Sequence, residues 1–372
     1  MSKTCPHFIL LLLLLIGDIC AEDWPVVRGN EAATGVAASP LADDLELSWK
    51  YPSEDSAFEA TPVIVAGVVY IGDADGTFYA VDLASGEAKW TQKFEDAGFV
   101  AAAAVNGDAL FVCDYNGMVR RLSITSGEQA WEFDAETEVY AGPSFSGENV
   151  LITTEGGVLF CVKAADGKEI WRFTIEAPLR CSPIVVNGRA LLAGCDGKLH
   201  AVDVSTGKEV TSLAIDGPTG STPAIVEGVA YFGGESGLFQ AIDVPADDDM
   251  KLVWKYKDPR RGQGIRSAAA VNNDVVIYGS QGKAVYCLTR ASGERKWQLT
   301  DRARIESSPV IAGDRAVVAT ASGKLLLVNI ADGEKVWDYD AGGGFQSSPA
   351  VVDGHLVIGN DDGTLYCFGP KK

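Results

Sequence analysis

The sequence predicts an all-β fold, an eight-bladed β-propeller of four-stranded antiparallel blades, on three observations that share one phase. Tryptophan recurs about every 40 residues, at Trp49, Trp90, Trp131, Trp171, Trp254, Trp297 and Trp337, with one member missing where Val210 stands. Glycine keeps the same step at Gly76, Gly117, Gly157, Gly197, Gly237, Gly282, Gly323 and Gly363. A small residue followed by proline opens most units, at Thr61-Pro62, Gly142-Pro143, Ser182-Pro183, Thr222-Pro223, Ser308-Pro309 and Ser348-Pro349, while Ala102-Ala103 and Ala268-Ala269 open the others. A period of this length marks a repeat architecture in which no unit buries its apolar faces alone.

Each unit reads as four short strands. In the first, Thr61 to Ala66 is apolar and β-branched, Gly67 turns, and Val68 to Gly72 returns. Asp73-Ala74-Asp75-Gly76 supplies turn chemistry, with glycine free to take positive φ. Thr77 to Asp82 is the third strand, Ala84-Ser85-Gly86-Glu87 turns again, and Lys89 to Lys93 is the fourth. Asn187-Gly188 in another unit is a strong hairpin signal. Four antiparallel strands per repeat, arranged radially, make a propeller. The tryptophans are the expected docking side chains between blades, since each has a large area to bury against its neighbour.

The ends decide the blade count. The last unit stops at Cys367-Phe368 after three strands. Leu45 to Tyr51, with Trp49 in phase, is expected to supply the fourth and close the ring, which removes the open sheet edges. The propeller then spans 45–370. Residues 22–44 are expected to form an N-terminal tether lying across the outside. Residues 1–21 read as a signal peptide: Lys3 is the positive start, Ile9 to Ile16 is the apolar run, and cleavage is expected after Ala21. That run is too short to span a bilayer, and no later segment has the length. Lipid attachment at Cys20 is the alternative, disfavoured because Asp18-Ile19 is a poor setting for it.

Composition excludes several functions. The chain has 51 acidic and 31 basic residues, a net charge of −20, which argues against a nucleic-acid surface. Cys113, Cys161, Cys181, Cys195, Cys287 and Cys367 lack the close spacing of a zinc site, and two histidines outside the leader cannot build an imidazole-rich centre. No G-x-S-x-G elbow or phosphate loop occurs, and His200 and His355 sit in no triad motif. Asp73-Ala74-Asp75-Gly76 and Asp361-Asp362-Gly363 read as turns rather than calcium loops, because the rest of a ligand series is missing. No catalytic residue, cofactor site or metal site is assigned.

Binding candidates remain. The residues just ahead of each innermost strand should converge on the channel mouth: Glu59, Val100, Tyr140, Arg180, Gly220, Arg266, Glu306 and Gln346. Phe58, Phe99, Leu179, Ile265, Ile305 and Phe345 precede six of them, as core or as an apolar rim. Lys255, Lys257, Arg260 and Arg261, next to Arg266, form a basic cluster on an acidic chain and are a candidate partner-binding loop. Asp247-Asp248-Asp249 reads as a solvated insertion. Cys181 and Cys195 flank the Asn187-Gly188 hairpin and are a possible disulfide in an oxidising compartment. Cys161, Cys287 and Cys367 take one strand position in three units and read as small core residues.

The run Ala80-x-Asp82-x-x-Ser85-Gly86-Glu87-x-x-Trp90 returns at Ala201-x-Asp203-x-x-Thr206-Gly207-Lys208, and looser versions end in Trp131, Trp171, Trp297 and Trp337. It resembles the quinoprotein (PQQ-like) propeller repeat over about residues 45 to 370. At this chain length the likeness is to the BamB family of envelope-assembly lipoproteins. Asp23-Trp24-Pro25-Val26-Val27-Arg28-Gly29 also resembles the lead-in of exported bacterial propellers of this class. The resemblance implies an exported, non-catalytic scaffold, periplasmic or extracellular, expected as a monomer, that binds protein partners such as envelope proteins. The same repeat occurs in quinone-dependent alcohol dehydrogenases, so a quinone- or small-molecule-binding enzyme or sensor using the channel is the alternative. The vicinal cysteine pair of those enzymes has no counterpart here, and fold does not fix function.

Overall fold

The computed structural model describes residues 22–53 and 56–371. The expected signal peptide, with Cys20, lies outside the described residues. Eight antiparallel four-stranded blades follow one another along the chain, and one of them gains a short parallel fifth strand. Blade 1 consists of Val63–Val65, Val68–Gly72, Thr77–Asp82 and Ala88–Lys93. Blades 2 to 7 repeat this pattern over 104–134, 144–174, 184–214, 224–257, 270–300 and 310–340. Blade 8 takes Ala350–Val352, His355–Gly359 and Thr364–Pro370, and its outermost strand is Leu45–Pro52, with Trp49 opposite Cys367. The ring is therefore closed by the N-terminal strand that the sequence predicts.

Burial within a blade explains the composition of its strands. The second strand of blade 1 is buried at every residue, because blades press on both its faces, and it is correspondingly apolar. The outermost strand alternates between exposed and half-buried residues, and it carries the lysines.

Indoles hold neighbouring blades together. Trp90 Nε1 donates to Ile124 O at 3.1 Å, Trp131 to Ala164 at 3.0 Å, and Trp171 to Val204 at 3.1 Å. Trp254, Trp297 and Trp337 donate to Arg290, Ile330 and Leu45, and Trp49 donates across the closure to Leu83 at 2.8 Å. A glycine of the next blade lies under most of these rings. A Cβ on Gly207 would sit 2.6 Å from the Trp171 ring. In blade 4 the position opposite Ala201 belongs to Thr211, whereas Trp90 stands opposite Ala80. The missing tryptophan is thus replaced by Thr211, not by Val210. The same bulge stands before this position in blade 1, so Thr211 follows Ala201 at the separation at which Trp90 follows Ala80.

The small residues that open the units have a role near the axis. Ser182 N donates to Thr222 Oγ1, Ala268 N to Ser308 Oγ, Ser308 N to Ser348 Oγ, and Ser348 N to Thr61 Oγ1. Each hydroxyl thereby satisfies a buried amide of the blade before it.

Residues 22–44 do not lie across the outside, contrary to the expectation from sequence. They pass round the axis at one end of the channel. Ile64 N donates to Trp24 O, Val105 N to Pro25 O, Ile225 N to Ala32 O, Val271 N to Thr34 O, and Ile311 N to Gly35 O. These amides all belong to the second residue of an innermost strand, in blades 1, 2, 5, 6 and 7. Val36–Ala37 then pairs in parallel with Val310–Ala312, and Gly354 N in blade 8 donates to Ser39 Oγ. The physical reason is backbone accounting: the inner edges present unpaired amides away from solvent, and the carbonyls of a segment that turns at Val27–Gly29 satisfy them.

Candidate functional site

The two ends of the channel differ. One is stoppered by residues 22–37. Trp24 is 1% exposed and Arg28 2%. The Arg28 guanidinium donates to Ser308 O at 3.2 Å, to Ala269 O at 3.3 Å, and to Pro309 O. No carboxylate pairs with it among the described residues, and burial pulls its pKa down to about 9, which leaves it charged at neutral pH.

The opposite end is open, and the expected mouth residues gather there. None of the eight is buried, whereas the apolar residues that precede six of them are core, not an apolar rim: Phe58, Phe99, Leu179, Ile265, Ile305 and Phe345 are all nearly inaccessible. A depression of about 460 Å³ is lined by Pro178, Arg180, Cys195, Pro218, Gly220, Glu235 and Arg266. It exists where blade 5 presents glycine: a Cβ on Gly220 would come 3.0 Å from Arg180 Cβ.

Ion pairs fix the charged groups of the mouth. Arg180 Nε donates to Glu155 Oε2 at 2.8 Å, and this carboxylate raises the guanidinium pKa. Arg266 Nε donates to Glu235 Oε1 at 2.9 Å, and its Nη1 lies 3.7 Å from Glu306. Glu306 also takes Arg304 at 2.9 Å and the Gln281 amide at 2.9 Å. Tyr140 is exposed beside Arg180 and contributes to its raised pKa. On the other side, burial raises the pKa of Glu59, helped by nearby Asp361. Asp361 is itself raised by burial and by Asp362, while it accepts the Gln346 amide at 3.1 Å. Sequence reasoning named the ring but missed Glu155, Glu235 and Asp361, which sit in the turns between second and third strands and pair only in three dimensions.

The basic cluster opens on the same side. Lys255 and Lys257 end the outermost strand of blade 5, and Arg260 and Arg261 follow in the loop, all four exposed. Asp258 shapes that loop by accepting the Arg260 and Arg261 amides, each at 2.7 Å. Its carboxylate pairs with Arg295 rather than with the cluster. None of the four cations has a carboxylate partner among the described residues.

Other candidates resolve into structure. Cys181 and Cys195 are free, which corrects the possible disulfide. The hairpin places Ile184 opposite Leu191, so continuing the register sets 181 against 194, and Cys195 falls out of step. Cys181 Sγ accepts the Ala193 amide, and Cys195 Sγ donates to Thr219 O. Cys161, Cys287 and Cys367 each face an indole across the sheet, at one shared position. Burial pushes their thiols up to about 11, 12 and 12. Asp73 accepts the Asp75 and Thr77 amides and the Tyr79 hydroxyl, the pattern of a turn. His200 is buried between Glu209 and Asp196 in a third strand, whereas His355 opens a second strand. No helix among the described residues is long and apolar enough to cross a membrane.

Comparison with known proteins agrees with this architecture. BamB from Moraxella catarrhalis superposes with a TM-score of 0.75 at 18% identity, over 88% of this chain and 100% of that one. A quinohemoprotein alcohol dehydrogenase from Comamonas testosteroni gives 0.79 at 16% identity, over 94% of this chain and 81% of that one. A computationally designed protein, Ika8, gives 0.76 at 16% identity, over 87% and 100%. At these identities the likenesses establish the fold alone. No curated protein matches the chain in sequence. The family model described as outer membrane protein assembly factor BamB matches residues 36–139 and 115–372, and the chain therefore belongs to that PQQ-repeat family.

Proposed function

We propose that this chain is an exported, non-catalytic scaffold that binds protein partners on its open face, in the manner the BamB family name implies for envelope assembly. The observation that carries the reading is that the mouth ring and the basic cluster share one face, with the ion-paired Arg266 of the ring next to the cluster, while the N-terminal segment fills the other end. On a chain of net charge −20, four neighbouring cations without a carboxylate partner among the described residues are a feature that self-pairing would have removed. Arginine is favoured at interface centres, and the exposed Tyr140 adds amphipathic contact area. The test is crosslinking in cells followed by charge reversal of Lys255, Lys257, Arg260 and Arg261 to glutamate. Loss of an envelope-protein crosslink without loss of folding supports the reading, and an unchanged crosslink pattern overturns it.

A second reading, a small-molecule site in the mouth, is favoured by one observation. Glu59 lies close enough to Asp361 for the second carboxylate to add to the upward shift that burial gives the first, and neighbouring perturbed carboxylates are a mark of binding or chemistry. Dye-linked dehydrogenase assays with added quinone and calcium separate the two readings.

A further inference from the structure

We propose that the stoppered end of the channel is a preformed peptide-binding site, filled in cis by residues 22–37, which seat as one cooperative strap after the ring has formed. The inference is independent of what binds the open face. Main-chain pairing gives such a site affinity, and pockets for particular side chains give it selectivity. Both are present. The main-chain component is the set of five amides at one strand position, in blades 1, 2, 5, 6 and 7. They converge only once those blades stand in a ring, so the strap has no partner before that.

The side-chain component is an indole and, four residues later, a guanidinium. Trp24 is buried against blade 1 and stacks under the chain reversal at Gly29, where φ is +87° and a Cβ would lie 2.6 Å from the ring. Arg28 reaches carbonyls of two blades, Ala269 in blade 6 and Ser308 and Pro309 in blade 7. Gly35, at φ +63°, leaves room for that guanidinium, and a Cβ there would collide with Arg28 Nη2. Positive φ at Arg28 and Ala33 as well bends the strap around the axis. A buried cation is costly without partners, and although Arg28 Nε has none among the described residues, every bond to its two terminal nitrogens comes from blades 6 and 7, so the strap holds this charge only when seated there. The ligand class is therefore a peptide carrying tryptophan, arginine four residues later and glycine directly after it, with a tight turn at that arginine and glycine.

Hydrogen exchange on the full chain tests this. Trp24→Ala acts where the strap meets blade 1, and Arg28→Met where it is held by blades 6 and 7. Either variant is expected to speed exchange at all five amides, Ile64, Val105, Ile225, Val271 and Ile311, by a common factor of about tenfold or more. Amides within the blades, such as Val69 and Leu191, keep their wild-type protection. Arg28→Lys, which keeps the charge and forfeits the forked geometry, falls between. A fluorescent peptide of residues 22–37 binds the two variants and not the wild type, whose site is occupied. Increases confined to blades 6 and 7 in Arg28→Met, or to blade 1 in Trp24→Ala, would overturn the cooperative strap. So would unchanged exchange in both variants. Loss of protection throughout the blades, failure of the variants to fold, or a peptide that binds neither variant would show that ring and strap are not separable, and would overturn the preformed site.

Discussion

The junction between blades 4 and 5 differs from the others, and the difference shows what the repeat motif is for. At the junction between blades 3 and 4, Trp171 lies over Gly207 and donates to Val204 O. One blade on, Thr211 takes the tryptophan position, and the glycine turn gives way to a longer loop through Asp247-Asp248-Asp249. Arg189 and Asn187, from the inner hairpin, bond the carbonyls of Val244, Pro245 and Ala246 instead, and the Thr211 hydroxyl reaches Asp249 at 3.3 Å. The indole and the next blade's glycine go together at every junction except that between blades 7 and 8, where Trp337 docks on Leu45, and here both are absent together. The motif from Ala80 to Trp90 serves two junctions at once: Gly86 receives Trp49 from the blade before, and Trp90 docks on the blade after.

The comparison can be broken by mutation. The largest effect is expected from Trp171→Ala, which removes ring burial and a hydrogen bond and costs about 3 kcal/mol in denaturant unfolding. Thr211→Ala at the equivalent place changes stability by no more than about 0.5 kcal/mol. Equal costs would mean that the two junctions are held in the same way.

Next in size is the glycine. Gly207 and Gly188 have similar backbone angles, φ +69° and +72°, but only Gly207 has an indole above it. Gly188→Ala measures the left-handed backbone alone, about 1 kcal/mol, and Gly207→Ala adds overpacking for a total of about 2 kcal/mol or more. Identical values would remove the indole from the argument.

The smallest effect is electrostatic. Asp82 caps its turn through the Ala84 and Ser85 amides and pairs with Lys89 at 2.9 Å. The Lys89 ammonium, with the Ser85 amide, lowers its pKa from 3.8 to about 2. A depressed carboxylate contributes stability above its ordinary pKa and loses it as pH falls through the folded value. Unfolding followed from pH 5 downward should therefore show a loss of less than about 1 kcal/mol that Asp82→Asn abolishes, small because the group is solvent-screened. A variant with the wild-type acid profile would assign that slope to other carboxylates.

Much of this molecule was legible in order along the chain. The tryptophans, the turn glycines and the closing strand each answer to a local rule repeated eight times, so phase alone reveals them. The mouth ring was legible for the same reason, since Glu59, Arg180, Arg266 and Glu306 hold equivalent places in their repeats. Their carboxylate partners were not, because Glu155 and Glu235 look like ordinary turn residues until the blades are set side by side. Register at the fourth strand was misplaced by one residue in blade 4, where no tryptophan marks the site.

By itself the sequence determined how many blades form, how they dock and how the ring closes, because those contacts join like positions of neighbouring repeats. Only the tertiary structure decided where residues 22–37 go and which end of the channel stays open. Their partners are backbone amides and carbonyls from blades scattered along the chain, with Arg28 bonded to groups more than 240 residues away. Backbone groups are the same in every residue, so they leave no mark in a sequence, and an arginine at such a place reads as a surface charge until the ring forms around it.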